Sequence, residues 1–470
     1  MPDHGRNKKD FRVLIKFCED YNPEKMEIII KEGMKVFGYK PSGKIFVKPN
    51  VVYATKNGKY GSTAYTDPVL VKSSLSVLSK SKDVSRVDMG EKTAIGYPTR
   101  LTYKYSNYYK VTAEVNRQSK IPVKAFCIDE EKRKSAFIGG EVHDNLRIAE
   151  KMADADSYVY LPKLKCHCVS SMTGAVKLNI GIISDDERAI RHDFMLNDKI
   201  VDLIEVGYPD FIIMDAIDVG VGTEAVPTPR RLGLILMGIN PLAVDIAAAR
   251  LLGYNLTDVP YLQRAVERGY RPGALKDLKL LGDIKTIKAL DEHAKKILPY
   301  DDEFHRWHDI DKELKRLKSP IRFYWGSARK TDDMKCLTGC IMGIKMFFAA
   351  NERFVGSSAF TNAKPAVLVV GKYDKEIDAK GNEVFLIGSC TEAKIKNAKK
   401  IIRINSCYTT AVELTLIIRG RLGIPSPLFF PSQVLPLVGN MMIASFMKII
   451  NGRYLQDISH FMKKGLNKRI

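Results

Sequence analysis

The stretch from Ile45 to Met89 constrains the fold most, because it reads as strand, helix, strand. Ile45-Phe46-Val47 is a short apolar run closed by Lys48-Pro49-Asn50, and proline does not continue a central strand. Asp67-Pro68 then opens an apolar-periodic stretch, Val69 to Leu78, with Val71, Leu75 and Leu78 on one face. Proline in the first turn, with aspartate before it, marks a helix start. Val84 to Met89 forms the next strand and ends at Gly90. Such a unit implies a parallel sheet covered by helices, with ligand-binding loops at the ends of its strands.

The pattern continues downstream. Asn145 to Ala153 is expected as helix, Ser157 to Leu161 as strand, and Pro162 as the start of a long loop. Phe211–Met214 and Leu232–Met237 read as further strands, and Asn240-Pro241 opens a helix over Ala243–Leu252. Ser319-Pro320 is a natural boundary. The expected organisation is therefore an α/β domain with a mostly parallel sheet flanked by helices over residues 1–320. A smaller, cysteine-containing α/β domain follows over 321–470, with strands at Ala366–Val370, Val384–Leu386 and Lys400–Ile404.

Charge bounds the partners. Lys and Arg total 75 against 54 acids, a net charge of +21. Such an excess attracts anions, whether nucleic acid, acidic lipid or phosphorylated metabolites; spread over helix surfaces, it also serves solubility. Eight cysteines in 470 residues are no disulfide framework. The polar Met1–Asp10 segment has no apolar core for a secretory signal, so reduced thiols in a cytoplasm are the expectation. The best membrane candidate is Leu428–Ile450, where Pro431 and Pro436 are expected to break the helix early and leave a buried or interfacial segment.

The chemistry concentrates between Leu161 and Asp193. Within that stretch lie Lys163, Lys165, His167, Lys177, Arg188, Arg191 and His192, starting in a loop directly after a strand. With Lys48 they are expected to line one anion pocket. Thr173-Gly174 allows close backbone approach before a helix-like run, and free N–H groups there, with Lys177 one turn on, would receive phosphate or carboxylate. Clustered cations lower one another's pKa, so His167 or Lys177 becomes a proton carrier near neutral pH. Asn179 is placed to hydrogen-bond a developing oxyanion. Cys166, His167 and Cys168 resemble metal ligands, but adjacent residues rarely reach one ion, so the two cysteines are expected to be packing residues. Asp215 and Asp218, followed by Gly220-Val-Gly222 and Glu224, offer Mg²⁺ ligands to a phosphate-bearing substrate, or simply a loop. The tyrosines at 103, 105, 108 and 109 are expected on a half-buried helix face rather than a nucleic-acid platform.

Five ordered motifs point to a family. Lys48-Pro-Asn50, Gly96-Tyr-Pro-Thr-Arg100, Leu161-Pro-Lys-Leu-Lys-Cys-His167, Thr173-Gly-Ala-Val-Lys177 and Asn240-Pro-Leu-Ala-Val-Asp245 together resemble the domain-of-unknown-function family numbered 362, over roughly residues 40–270. Many members of that family are fused to ferredoxin-type modules, so the resemblance implies a redox association with no assigned reaction. This chain lacks the Cys-x-x-Cys-x-x-Cys run of a bacterial ferredoxin. It has instead Cys336, Cys340, Cys390 and Cys407, four thiols that suit a four-iron cluster or zinc if they converge, and otherwise serve as buried packing groups.

The expected function is therefore an enzyme on a carboxylate- or phosphate-bearing small molecule, an iron–sulfur oxidoreductase with an electron-transfer partner. The alternatives are a non-redox carbon-acid isomerase or racemase, and a basic nucleic-acid or membrane-surface binding protein. No nucleic-acid module is recognisable, so only weak, non-specific nucleic-acid binding is expected.

Overall fold

The computed structural model describes residues 8–56, 60–297, 303–328, 336, 338–425 and 431–459. The strands in chain order are β1 (Arg12–Phe17), β2 (Gly43–Pro49), β3 (Val84–Glu91), β4 (Val123–Cys127), β5 (Arg133–Phe137), β6 (Asn145–Ala149), β7 (Ser157–Leu161) and β8 (Lys163–His167). They continue as β9 (Ser171–Thr173), β10 (Phe211–Val221), β11 (Thr228–Gly238), β12 (Lys279–Gly282), β13 (Ile321–Trp325), β14 (Ala366–Asp378), β15 (Glu383–Lys396) and β16 (Lys400–Ile404).

A ten-stranded sheet runs β12-β1-β11-β10-β7-β2-β3-β4, with β8 and β9 joined to β10. From β10 through β7, β2 and β3 to β4 every pairing is parallel, while β11 is antiparallel to both β10 and β1. The sheet is thus mixed and mostly parallel. Strand alternation explains its two cores. Ile45, Val47, Val159 and Leu161 face the helices Pro23–Phe37, Pro68–Ser79 and Tyr108–Gln118. Phe46, Tyr158 and Tyr160 point to the other face, toward the helix Pro241–Leu251. Strands buried on both faces carry continuous apolar runs. Tyr103 and Tyr108 are fully buried, on the core side of their helices.

A second sheet, β13-β14-β15-β16, is parallel throughout. Leu368, Val370, Phe385 and Ile387 pack under the helices Ile310–Arg316, Cys340–Val355 and Ala411–Ile417, and Val367, Val369, Val384 and Leu386 form a smaller core on its other face.

Three local expectations are corrected. Asn145–Ala149 is a strand paired with β5, and only Glu150–Ala153 is helical. The segment after Pro162 is strand β8 and not a loop. Leu164 and Cys166 alternate into the core while Lys163, Lys165 and His167 take the opposite side, a period of two hidden by the lysines. The third correction concerns Pro431–Ile450, which is one continuous 20-residue helix with Pro436 inside it. Pro436 lies in the second turn, where its missing N–H costs only the carbonyl of a first-turn residue. By length and composition this helix is able to cross a membrane; residues 428–430 of the stretch lie outside the described residues.

Candidate active site

A cavity of about 290 Å³ lies beyond the C-terminal ends of β2 and β3, between that end of the first sheet and the helices of the second. One wall comes from the first sheet: Asn50, Glu91, Lys92, His167, Lys177, Arg188, His192 and Glu224. The other is mostly apolar and comes from the helix Cys340–Val355 and the segment Tyr408–Thr415, with Met342, Met346, Phe347, Phe354, Tyr408 and Val412. The cavity is therefore charged on one side and greasy on the other.

Lys177 is the cation most available to a ligand. It is half-buried, lines the cavity, and makes no hydrogen bond or ion pair among the described residues. Burial lowers its pKa to about 8 against the opposing pull of Glu224. Arg188 also lines the cavity, but its guanidinium is spent on the carbonyls of Ile180 (2.8 Å), Thr93 and Lys92. It thereby fixes the loop that carries Lys92 and Thr93. His192 stacks on Tyr408 with ring centroids 4.9 Å apart, and its Nδ1 faces the Lys199 ammonium at 3.4 Å. Burial, then Lys199, Lys177 and Arg188, hold His192 well below the usual histidine range. Lys199, which the sequence reading missed, is itself lowered to about 7 by burial and Arg188.

His167 ends β8. Its Nδ1 accepts from the Val169 N–H at 3.2 Å, so the ring proton sits on Nε2, which faces Glu224 at 3.5 Å. Burial, then Lys177 and Lys165, push its pKa far down, keeping it neutral. Donor atoms of His167, Cys168 and Glu224 lie within 4.8 Å of one another, a spacing that fits one metal ion. Adjacent residues meet here because the strand ends at His167 and the turn at Cys168 breaks the alternation. Two features oppose a cation. A ligating histidine donates from its second nitrogen, whereas this one accepts there. Lys177 and Lys345 also press on Cys168 and Glu224 electrostatically.

Other expected site residues lie elsewhere. Lys48 sits under the cavity, fully buried, 2.6 Å from Glu91. Lys163 donates to Asp215 at 2.8 Å and to the Tyr21 hydroxyl at 3.0 Å. Lys165 donates to the Ala64 and Glu224 carbonyls, and burial lowers it to about 7. Arg191 pairs with Asp193 and stacks on Phe194. Asn179 accepts from the Tyr160 hydroxyl at 2.7 Å and is absent from the cavity lining. These lysines and the asparagine are held by internal partners and do not line the cavity. The Mg²⁺ set is dispersed too: Asp215 holds Lys163, Asp218 holds Arg231 and Glu224 holds His167.

The anion receptor expected at Thr173-Gly174 is already filled. Asp245 accepts from the Ala175 and Val176 N–H groups at 2.6 and 3.0 Å. A Cβ on Gly174 would collide with that carboxylate, so the glycine is required for the approach. Burial raises Asp245 to about 7. The internal carboxylate locks the turn that leads into Lys177.

The C-terminal cysteines gather beside the cavity's greasy wall. Cys340 opens the helix Cys340–Val355; its sulfur accepts from the Thr409 N–H at 3.3 Å. Cys390 lies in a bulge of β15, where Val370 pairs with Ile387 but Lys372 pairs with Glu392. Gly388, at φ 101, lies in that bulge, and a Cβ there would be 3.0 Å from the Cys340 sulfur. Cys336 sits 3.4 Å from a Cβ placed on Gly339. Burial raises the Cys340 thiol, and Cys407 and Cys390 raise it further. Burial likewise raises Cys336 to about 11, with Cys340 adding to it. Each thiol thus lies within electrostatic reach of another of the four, and all are unpaired. Leu337, expected to shelter them, lies outside the described residues. The Thr338 hydroxyl donates to the Asp193 carbonyl, tying this group to the Arg188–Asp193 segment.

Fold and cavity together define an α/β protein with a basic, two-walled pocket beside a cysteine group. Residues 45–250 match the family described as Domain of unknown function (DUF362). A thylakoid-associated protein of Synechocystis sp. is 23% identical over 243 residues, covering 50% of this chain and 71% of that protein. The lactate racemase apoprotein of Thermoanaerobacterium thermosaccharolyticum aligns at a TM-score of 0.33 and 10% identity, covering 79% of this chain and 71% of that one, a likeness too slight to bear on function.

Proposed function

We propose that the chain is an oxidoreductase acting on an anionic small molecule bound in the cavity, with an iron–sulfur cluster of the four-iron class on Cys336, Cys340, Cys390 and Cys407. The observation that carries this reading is adjacency. The helix that begins at Cys340 also supplies Met342, Gly343, Met346 and Phe347 to the cavity wall, and Tyr408, next to Cys407, stacks on His192. The donor set suits the group: four unpaired thiols, each within electrostatic reach of another, with Cys340 beside the Gly388 bulge and already accepting a backbone N–H, as cluster sulfurs do. Such a cluster, when bound, supplies one-electron transfer between a protein or small-molecule partner and the substrate.

The chain's own residues do the rest. Lys177 binds the carboxylate or phosphate. His192, neutral and held against Lys199, carries a proton at the cavity wall, and Lys199, near 7, exchanges one with it. His167 holds its Nε2 proton toward Glu224. The same neutral His192 favours a second reading, proton abstraction next to a carbonyl in an isomerase or racemase. Iron, sulfide and visible absorption of anaerobically purified protein separate the two. The expected result is about four irons per chain, lost in Cys340→Ala and Cys407→Ala and kept in Cys18→Ala. Iron-free protein after anaerobic reconstitution refutes the redox reading, and catalysis by such protein establishes the carbon-acid one.

A further inference from the structure

The helix Pro431–Ile450 presents an unusual surface. Its inner face is half-buried or buried at Val434, Leu437, Asn440, Ala444 and Met447, packed against the helix Thr99–Tyr105 and the turn Ile128–Glu130. Its outer face carries Leu435, Val438, Met442, Phe446 and Ile449, all exposed, with Phe446 at 60%. Those positions are spaced three, four, four and three apart, one continuous stripe on a helix. At 1.5 Å per residue the stripe is roughly 21 Å long. A soluble surface does not leave so long an apolar stripe bare without a partner.

We propose that this helix docks flat on an anionic lipid bilayer, outer face down. Two observations select lipid. The first is charge. Lys104 lies on the helix that packs beneath, Lys132 lies against Gly452, and Lys448 is on the docking helix itself. The sequence beyond it adds Lys463, Lys464, Lys468 and Arg469 within a chain of net charge +21. Basic residues on and next to this helix match acidic headgroups above acyl chains, whereas a second copy would bring like charges together. The second is attachment. Asn451 donates to the Glu130 carbonyl at 3.1 Å, Arg453 to Glu131 at 3.0 Å and Gln456 to Arg133 at 2.7 Å. A helix clamped at one end and along one face lies on a membrane and does not thread it.

The helix also rests on Thr99–Tyr105, which follows directly from the cavity-lining segment Lys92–Tyr97. Docking therefore holds the cavity close to the lipid surface. The inference is independent of the chemistry in the cavity.

Vesicle flotation of the full chain tests it. With vesicles of phosphatidylglycerol and phosphatidylcholine at about 50 mM salt the protein floats. Pure phosphatidylcholine, or about 500 mM salt, reduces the bound fraction severalfold, because screening removes the ionic part. The double variant Met442→Glu/Phe446→Glu binds at least about tenfold less, since binding scales with buried apolar area, and its circular dichroism is unchanged because both side chains are exposed. Protein that stays unbound with anionic vesicles overturns the proposal. So does a double variant that floats like the parent, or a solution dimer that the double variant abolishes.

Discussion

Asp245→Asn isolates the lock beneath Lys177. The wild-type carboxylate is completely buried and takes two backbone N–H groups, at 2.6 and 3.0 Å. An asparagine offers one oxygen to one N–H and sets an NH₂ against the other. That leaves a buried donor unsatisfied, a cost of about 1–3 kcal/mol. The pH dependence is more diagnostic. Burial raises the folded pKa from 3.8 to about 7, so the folded state holds the proton more tightly than the unfolded one. Stability from this group is fully present below about pH 4 and is lost as pH rises through 7. Between pH 5 and pH 8 the wild type loses roughly 3 kcal/mol from this group alone, at 1.36 kcal/mol per unit. Asparagine does not titrate. Urea unfolding followed by far-ultraviolet circular dichroism at pH 5, 6.5 and 8 reads the difference. The gap between the two proteins moves toward the variant by roughly that amount as pH rises. A gap that stays constant across the range refutes the burial argument.

Three further outcomes follow from the same geometry. Lys48→Met strands the Glu91 carboxylate in the interior and costs about 3–5 kcal/mol, whereas Lys48→Met/Glu91→Leu regains most of it, as thermal melting will show. Lys177→Gln weakens inorganic phosphate or carboxylate binding by roughly ten- to a hundredfold, the worth of one charged hydrogen bond; in the wild type, titration calorimetry finds binding retained below about pH 8 and lost as pH rises past the Lys177 pKa. Gly174→Ala drives a methyl into the Asp245 carboxylate and lowers the melting temperature by an amount equivalent to about 1–3 kcal/mol, the usual cost of overpacking.

The parallel core was legible because Ile45, Val47 and Phe46, with the run Tyr158–Leu161, are apolar or aromatic at every position, and a strand buried on both faces demands that. β8 was not, because Lys163 and Lys165 look like loop residues until their partners are known, and Asp215 is 52 residues away from Lys163 in the chain. The same distance problem hid Glu91 and Asp245 from the site, whereas Lys199, only seven residues from His192, read as an ordinary surface lysine of a helix. Charged residues in a sequence announce themselves as ligand groups; whether an internal carboxylate already occupies them is a tertiary fact. Gly174 was noted for close approach, and the approach is real, but the visitor is Asp245. At the C-terminal end the four cysteines were visible as a set, while the bulge that sets Gly388 against the Cys340 sulfur depends on the strand pairing of Lys372 with Glu392.

The two-walled cavity has a consequence for how this protein is made. Its basic wall is complete by Glu224, but its greasy wall does not exist until residue 415 has left the ribosome. A nascent chain therefore carries an open, basic shelf for the time it takes to synthesise the remaining residues, and any fragment ending before Thr415 keeps it open. Ligand grip is a joint property of the first half and the last third of the polypeptide. A bound molecule thus works as a rivet between them, so a saturating ligand should merge two separate unfolding steps into one.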